Sequence, residues 1–483
     1  MLFEIHAEKS AEDKKVFYYD NMTNILKDSE GNTFEFPESQ RNQPEKREPY
    51  KPFDKDRPLK KSKLITHLKI QMGLSCNYSC DYCSQKFVER APETSKKDID
   101  AFMEKFKVLE FDENHGVKIE FWGGEPLVYW KTLKPLAETI HAKFSTWKRK
   151  PRFSIITNGS ILSDEIIDWL MQYDFSVSLS HDGPGQSVRG PDPFDDPEAK
   201  EKILGFYRMM TRLKKGFSFN SMLNSKNKSR KQIYEWFVNI TGDENVRLGE
   251  GGIVDAYDED GITNSLQSKQ EHFEFRRISF TDILSTQGKI GFTGILQKID
   301  SFTQAILQHS DSKFLNQKCG MDDEHTLAID LRGNVLTCQN VSSLEISKNG
   351  ESHLGGTLED YDNVEIKSAT HWSNRKECSS CPVLHICKGA CMFLDKKFWD
   401  ISCANAYSDN VALFALSINN ITGYIPTLIK QDDLPLDRQD IFGTIFEHKE
   451  NPKKKIIPIK VISEKIGDIE GVEVYGKSKV VIE

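Results

Sequence analysis

A chain of 483 residues, 38% hydrophobic and 29% charged, is too long for one compact core and apolar enough to build at least two domains. Its net charge of −8 excludes a nucleic-acid binder that draws its affinity from a basic face. No uninterrupted apolar stretch reaches the length of a membrane span, and Met1-Leu2-Phe3-Glu4-Ile5-His6 lacks the order of a secretory signal, so a cytoplasmic protein with no membrane partner is expected.

Residues 1–63 open with the apolar segments Val16-Phe17-Tyr18-Tyr19 and Phe34-Glu35-Phe36, separated by the turn-rich Asp28-Ser29-Glu30-Gly31-Asn32. They predict a β-hairpin followed by a Pro- and Lys-rich linker from Pro37 to Lys63. The hairpin reads either as a cap on the next domain or as an edge that a peptide extends. Between residues 64 and 254, strands over 68–72, 118–122, 152–157, 176–180, 217–223 and 246–249 alternate with helices over 96–109, 132–147, 163–173, 197–213 and 230–241. Strict alternation predicts an α/β fold with a parallel sheet, right-handed crossovers and ligands at the carboxyl ends of the strands. Residues 255–318 read as a helical bridge on that domain, with helices over 269–284 and 294–309. A cysteine-rich stretch, 319–404, precedes a C-terminal extension, 405–483. The extension begins with an apolar helix, Asn410 to Asn420, and ends in β-branched runs over 456–462, 472–475 and 479–482.

Ten cysteines in a reducing compartment are not expected to form disulfides. Three of them, Cys76, Cys80 and Cys83, stand in a C-x3-C-x2-C loop directly after the first strand. Three thiolates from one tight loop can hold three irons of a [4Fe-4S] cube and leave the fourth iron without a protein ligand. Taken alone, the spacing also fits core thiols or part of a zinc knuckle. The motifs at the next strand ends are Phe121-Trp122-Gly123-Gly124-Glu125-Pro126, Thr157-Asn158-Gly159-Ser160 and Ser180-His181-Asp182-Gly183-Pro184. The glycine pair allows close backbone approach to a ligand, Glu125 offers an anionic acceptor, and the short polar residues either bind a ligand or form turns. Gly249 to Gly252 could border a bound base.

The cysteine loop resembles that of the radical S-adenosylmethionine (radical SAM) enzymes, and the resemblance implies a partial (β/α)6 barrel over 64–254. In that family SAM chelates the open iron, and the cluster splits it to a 5′-deoxyadenosyl radical. Carried over by position, Tyr82 lies beside the adenine, Gly123, Gly124 and Glu125 receive the SAM amino group, and Ser180 and Arg189 contact SAM; Asn158, at the end of the third strand, is a further candidate to hydrogen-bond the cofactor. The remaining seven cysteines resemble the seven-cysteine SPASM domain, which implies two auxiliary [4Fe-4S] clusters in addition to the SAM-binding one. Cys319, Cys338 and Cys391 would bind the first, with one iron open or ligated from outside, and Cys378, Cys381, Cys387 and Cys403 would close the second.

The resemblance makes a peptide the expected substrate. Auxiliary clusters suit a net oxidation, so the expected activity is a radical SAM oxidoreductase that matures a ribosomally made precursor peptide by cross-linking side chains through C-C, thioether or ether bonds. An electron donor such as flavodoxin or ferredoxin is implied. Sulfatase-maturating relatives carry an aspartate after the cysteine matching Cys338; here Gln339 and Asn340 follow, and an amide takes up no proton at neutral pH. Epimerisation and sulfatase-type maturation are the alternatives within the family, and an iron-sulfur electron carrier is the non-catalytic one.

Overall fold

The computed structural model describes residues 1–40, 49–50, 52–259, 261–347, 350–445, 459–469 and 472–482. Part of the expected linker, with the basic run Lys453-Lys454-Lys455, lies outside these. The chain opens with strands β1 (Leu2–Glu8), β2 (Lys14–Asp20) and β3 (Ile25–Asp28), then a short β4 (Leu59–Lys60). The alternating region follows as β5 (His67–Gln71), α1 (Ile99–Lys105), β6 (Lys118–Trp122), α2 (Trp130–Lys143), β7 (Arg152–Thr157), α3 (Asp164–Gln172), β8 (Ser176–Ser180), α4 (Pro197–Arg212), β9 (Phe217–Leu223), α5 (Arg230–Thr241) and β10 (Leu248–Ile253). Helices α6 (Lys269–Ser285) and α7 (Thr293–Leu307) come next. The cysteine-rich stretch holds β11 (Thr326–Asp330), β12 (Asn334–Leu336), β13 (Leu354–Thr357), β14 (Glu365–Ile366), α8 (Lys376–Ser379) and α9 (Leu384–Cys387). Helix α10 (Lys396–Thr422), β15 (Ile425–Lys430), α11 (Leu436–Gln439), β16 (Ile459–Ile469) and β17 (Val472–Ile482) complete the chain.

Strands β5 to β10 lie side by side in sequence order, each parallel to the next, which is the α/β arrangement the alternation predicts. Local signals start the helices: the Asp196 side chain accepts from the N–H groups of Glu198 and Ala199 ahead of α4, and Ser163 and Ser229 cap α3 and α5 the same way. One set of alternating strand residues, including Ile70, Phe121, Ile155 and Leu179, joins a common core with Leu133, Leu136, Ile166 and Leu170 of the helices. The other set, Lys69, Gln71, Glu120, Ser178, Ser180 and Asn220, gives the opposite face a polar character.

The sheet does not stop at β5. Strand β11 pairs parallel with it, and β12 and β13 follow antiparallel, so the cysteine-rich stretch continues the same nine-stranded sheet. The hairpin expectation for the N-terminus needs correction: the partner of β2 beyond β1 is Ile25–Asp28, and Phe34 to Phe36 form no strand. The outer edge of β1 is taken by β15, which removes it as an edge for a peptide.

Helix α10 runs through the expected boundary at 404/405 and is longer at both ends than the apolar run that suggested it. It packs against α6, α7 and β15, so the helical bridge rests largely on α10, touching the parallel sheet through α7 and β10. Arg230 of α5, fully buried, donates to Asp409 of α10 and to Ser279 of α6 at 2.8 Å, tying the three together.

Candidate active site

The cysteine loop leaves the carboxyl end of β5 and is held there by its neighbours. The N–H groups of Gly124 and Glu125 donate to the carbonyls of Gly73 and Ser75, each at 3.0 Å. A Cβ on Gly123 would stand 2.5 Å from the Gly73 oxygen, and one on Gly124 would stand 2.4 Å from the Ser75 oxygen. The two glycines therefore admit the backbone leading to the cysteines, which accounts for their absence of side chains without a ligand. On the far side, the Asp81 N–H donates to Val188 O at 2.9 Å, and the Tyr78 hydroxyl to Pro191 O at 2.8 Å.

Glu125 is buried, and its carboxylate is already engaged. Oε1 accepts from the Leu127 N–H and the Thr157 hydroxyl, and Oε2 from the Asn158 N–H at 2.7 Å. Burial raises its pKa against those donors. Asn158 makes the expected turn, accepting from the Ser160 N–H at 3.0 Å, and also donates to Asn77 Oδ1 in the cysteine loop at 2.9 Å. It is both a turn former and a brace for the loop.

Ser180 is buried at the end of β8. Two residues on, Asp182 accepts from the Tyr82 hydroxyl at 2.5 Å and from Arg189 Nη1 at 3.3 Å, while Arg189 Nη1 also donates to the Tyr82 oxygen at 2.9 Å. The loop holding Arg189, whose path carries no sequence signal, is thus folded back so that the guanidinium acts on the Cys76 and Cys80 thiols. Arg189 Nε is buried with no partner among the described residues, an unmet donor beside the cysteine loop. Gly251 has a different reason for being glycine: φ is +68°, and a Cβ would stand 2.5 Å from Phe292, so it serves packing rather than a bound base.

The ten thiols fall into three neighbourhoods. Cys76, Cys80 and Cys83 act electrostatically on one another; so do Cys319, Cys338 and Cys391; so do Cys378, Cys381, Cys387 and Cys403. The last four line a single cavity with Trp399 and Tyr407. Burial pushes Cys80 and Cys338 up to about 11 and Cys381 and Cys391 up to about 12, so a cation must accompany their ionisation. Among the described residues, no three His, Cys, Asp or Glu side chains are arranged to hold one metal ion. A cube gives each thiolate its own iron, so sets of three, three and four thiols would supply the protein ligands of three cubes.

Several residues at these sites carry no sequence signal. Lys69 Nζ donates to Gln339 Oε1 at 3.2 Å, Gln71 Nε2 to the carbonyls of Gln339 and Val341, and Trp122 Nε1 to Asn340 Oδ1 at 2.9 Å. They seat the segment after Cys338 against the polar face of β5 and β6. Arg438 Nη2 lies 3.4 Å from the Cys403 sulfur. Only the parity of strand positions could have pointed to the first three, and nothing local points to Arg438.

Residues 70–206 match the family model described as Radical SAM superfamily. The chain carries a radical SAM domain. A radical SAM cyclopropyl synthase, TigE, from Paramaledivibacter caminithermalis is 25% identical over 205 residues, 39% of this chain and 41% of that one. The chain thus matches less than half the length of that relative. Among solved structures, anSMEcpe with bound AdoMet superposes with a TM-score of 0.52 at 19% identity over 74% of this chain and 99% of that one. The same protein with bound AdoMet and a Kp18Cys peptide gives 0.50. At that identity the likeness establishes the fold, which extends beyond the radical SAM domain over most of the chain.

Proposed function

We propose that the protein is a radical SAM maturase that oxidises a ribosomally made precursor peptide, joining side chains within it. The observation that carries this reading is the sorting of all ten thiols into one three-thiol loop and two further sets, the arrangement a SAM-binding cluster with two auxiliary clusters needs. Cys76, Cys80 and Cys83 would hold the first cluster, Cys319, Cys338 and Cys391 the second, and Cys378, Cys381, Cys387 and Cys403 the third. When bound, the first cluster and SAM supply a 5′-deoxyadenosyl radical that takes hydrogen from carbon.

The polypeptide's own part is positional. Gly123 and Gly124 fix the height of the cysteine loop, and Asn158 braces it through Asn77. Asp182 orients Tyr82 and Arg189 together, and the unmet Arg189 Nε would receive a carboxylate, the group SAM presents. Glu125 acts by holding the turn; its remaining acceptor capacity on Oε2 would face an amino group. Position 339 holds a neutral amide bonded to Lys69 and supplies no base.

A peptide substrate is supported by the fold shared with anSMEcpe, whose structure was solved with a peptide bound, and a flavodoxin or ferredoxin would supply the electrons. Joining two carbon atoms removes two hydrogens whether the product is a cross-link or a small ring, as the name of the cyclopropyl synthase relative suggests for that protein. The test is anaerobic incubation of the reconstituted protein with SAM, a reductant and each short peptide found encoded in the genes next to its own. A loss of two hydrogens per event with release of 5′-deoxyadenosine supports the proposal. An unchanged mass with altered stereochemistry would replace it with epimerisation.

A further inference from the structure

The two auxiliary thiol sets sit in different charge environments. Around Cys378, Cys381, Cys387 and Cys403 the charged groups are mostly cations, with Glu377 also lining their cavity. The Arg438 guanidinium lies 3.4 Å from the Cys403 sulfur and acts on Cys381 as well. Arg375, buried and stacked 3.6 Å over the Trp399 ring, acts on Cys378 and Cys403, and Lys298 and Lys318 act on Cys387. Around Cys319, Cys338 and Cys391 the signs are mixed: Lys69 acts on the first two and the buried Lys61 on Cys319, but Asp322 faces Cys319 and Asp255 faces Cys391, with Arg375 reaching Cys391 from between the sets.

A one-electron reduction makes a cube more negative by one charge, with no bond made or proton moved. Nearby cations and N–H···S hydrogen bonds stabilise the reduced form, and nearby carboxylates oppose it. The interaction is strong where side chains are buried and water is excluded. Resting on the reading that both sets hold clusters, we propose that Arg438 and the cations around it make the Cys378, Cys381, Cys387 and Cys403 centre the more easily reduced of the two auxiliary centres. The residue that sets this difference comes from the segment after α10 and β15, far from the cysteines in sequence, which gives that extension a part in the electronic design. Arg438 is a positioning and tuning residue that acts through the Cys403 sulfur.

The test uses the full-length chain, reconstituted with iron and sulfide, with Cys76, Cys80 and Cys83 replaced by Ala so that only the auxiliary centres give signals. Dithionite is the one-electron donor in a redox titration followed by electron paramagnetic resonance. Two midpoints are expected. Arg438→Gln should lower the higher one by at least about tenfold in the reduction equilibrium, about 59 mV for one electron, and leave the lower one in place. Lys69→Met should move only the lower one, and Arg438→Lys should keep most of the higher midpoint. Arg438→Gln shifting neither midpoint, or shifting the lower one, overturns the proposal. Iron well below about eight per chain in this variant would instead sink the assignment of clusters to these thiols, and the proposal with it.

Discussion

Asn21, in the turn after β2, donates from Nδ2 to the Cys381 carbonyl at 2.9 Å and to the Ser379 carbonyl at 3.0 Å, bracing a thiol loop 360 residues away. The side chain is fully buried, so these bonds exclude water. Asn24 reinforces the contact through His385 and the Ser310 carbonyl. The N-terminal strands thus act as a clamp on the loop that carries Cys378 and Cys381. Asn21→Ala leaves the buried Cys381 carbonyl and the half-buried Ser379 carbonyl without that donor and should cost about 1–3 kcal/mol. Thermal denaturation should show the loss, and iron should fall by about four per chain from about twelve.

Gly124 meets backbone on two sides, with a Cβ 2.4 Å from Ser75 O and 2.6 Å from Leu74 O. Gly124→Ala cannot be absorbed by turning a side chain, so the cysteine loop must shift, at a cost of about 1–3 kcal/mol. The expected outcome is loss of SAM cleavage with the two distal clusters retained, read by iron content and by 5′-deoxyadenosine release.

Tyr82→Phe removes the hydroxyl that joins Asp182 to Arg189. The ring stays, but a buried carboxylate loses a donor, a change of about 1–3 kcal/mol. SAM affinity should drop by about tenfold, seen in equilibrium binding, while the iron content stays unchanged. A fall in iron would show that the hydroxyl serves the cluster loop itself.

Glu120, on the polar face of β6, lies 3.0 Å from His67 Nε2 and pairs with Lys118. Burial raises its pKa, but the contacts from His67 and Lys118 outweigh it and bring the carboxyl down to about 2 from an ordinary 4.5. A depressed folded-state pKa gives stability that is present above about pH 4.5 and lost as pH falls toward 2. Its size is on the order of 3 kcal/mol. Glu120→Gln should therefore destabilise the protein at pH 7, and urea titrations at pH 7 and pH 4 should show the gap between variant and parent narrowing as pH falls.

The parallel domain was legible because its signals are local. Four of its six strands, 118–122, 152–157, 176–180 and 217–223, have the bounds that apolar alternation and flanking turns imply. The cysteine spacings at 76–83 and 378–391 are visible in the sequence because spacing along the chain is a covalent constraint. The N-terminal sheet was not: Ile25–Asp28 is a short, half-polar strand completed by β15 from the far end of the chain, and no local pattern marks such a pairing. The glycine pair shows a related limit. A close approach can be to a ligand or to another backbone, and only the position of Gly73 to Ser75 decides which. Arg189, Arg375 and Arg438 act at sites set by loop paths, which sequence periodicity does not encode.

The central claim is that the loop of Cys76, Cys80 and Cys83 leaves one iron for SAM. Its most direct measurement is the spectrum of the reduced, reconstituted protein as SAM is added, with Cys83→Ala beside it. SAM should perturb one cluster signal of three and yield 5′-deoxyadenosine, and Cys83→Ala should lose both effects while its two distal clusters remain. A spectrum indifferent to SAM in the parent protein, with all three clusters present, would contradict the account.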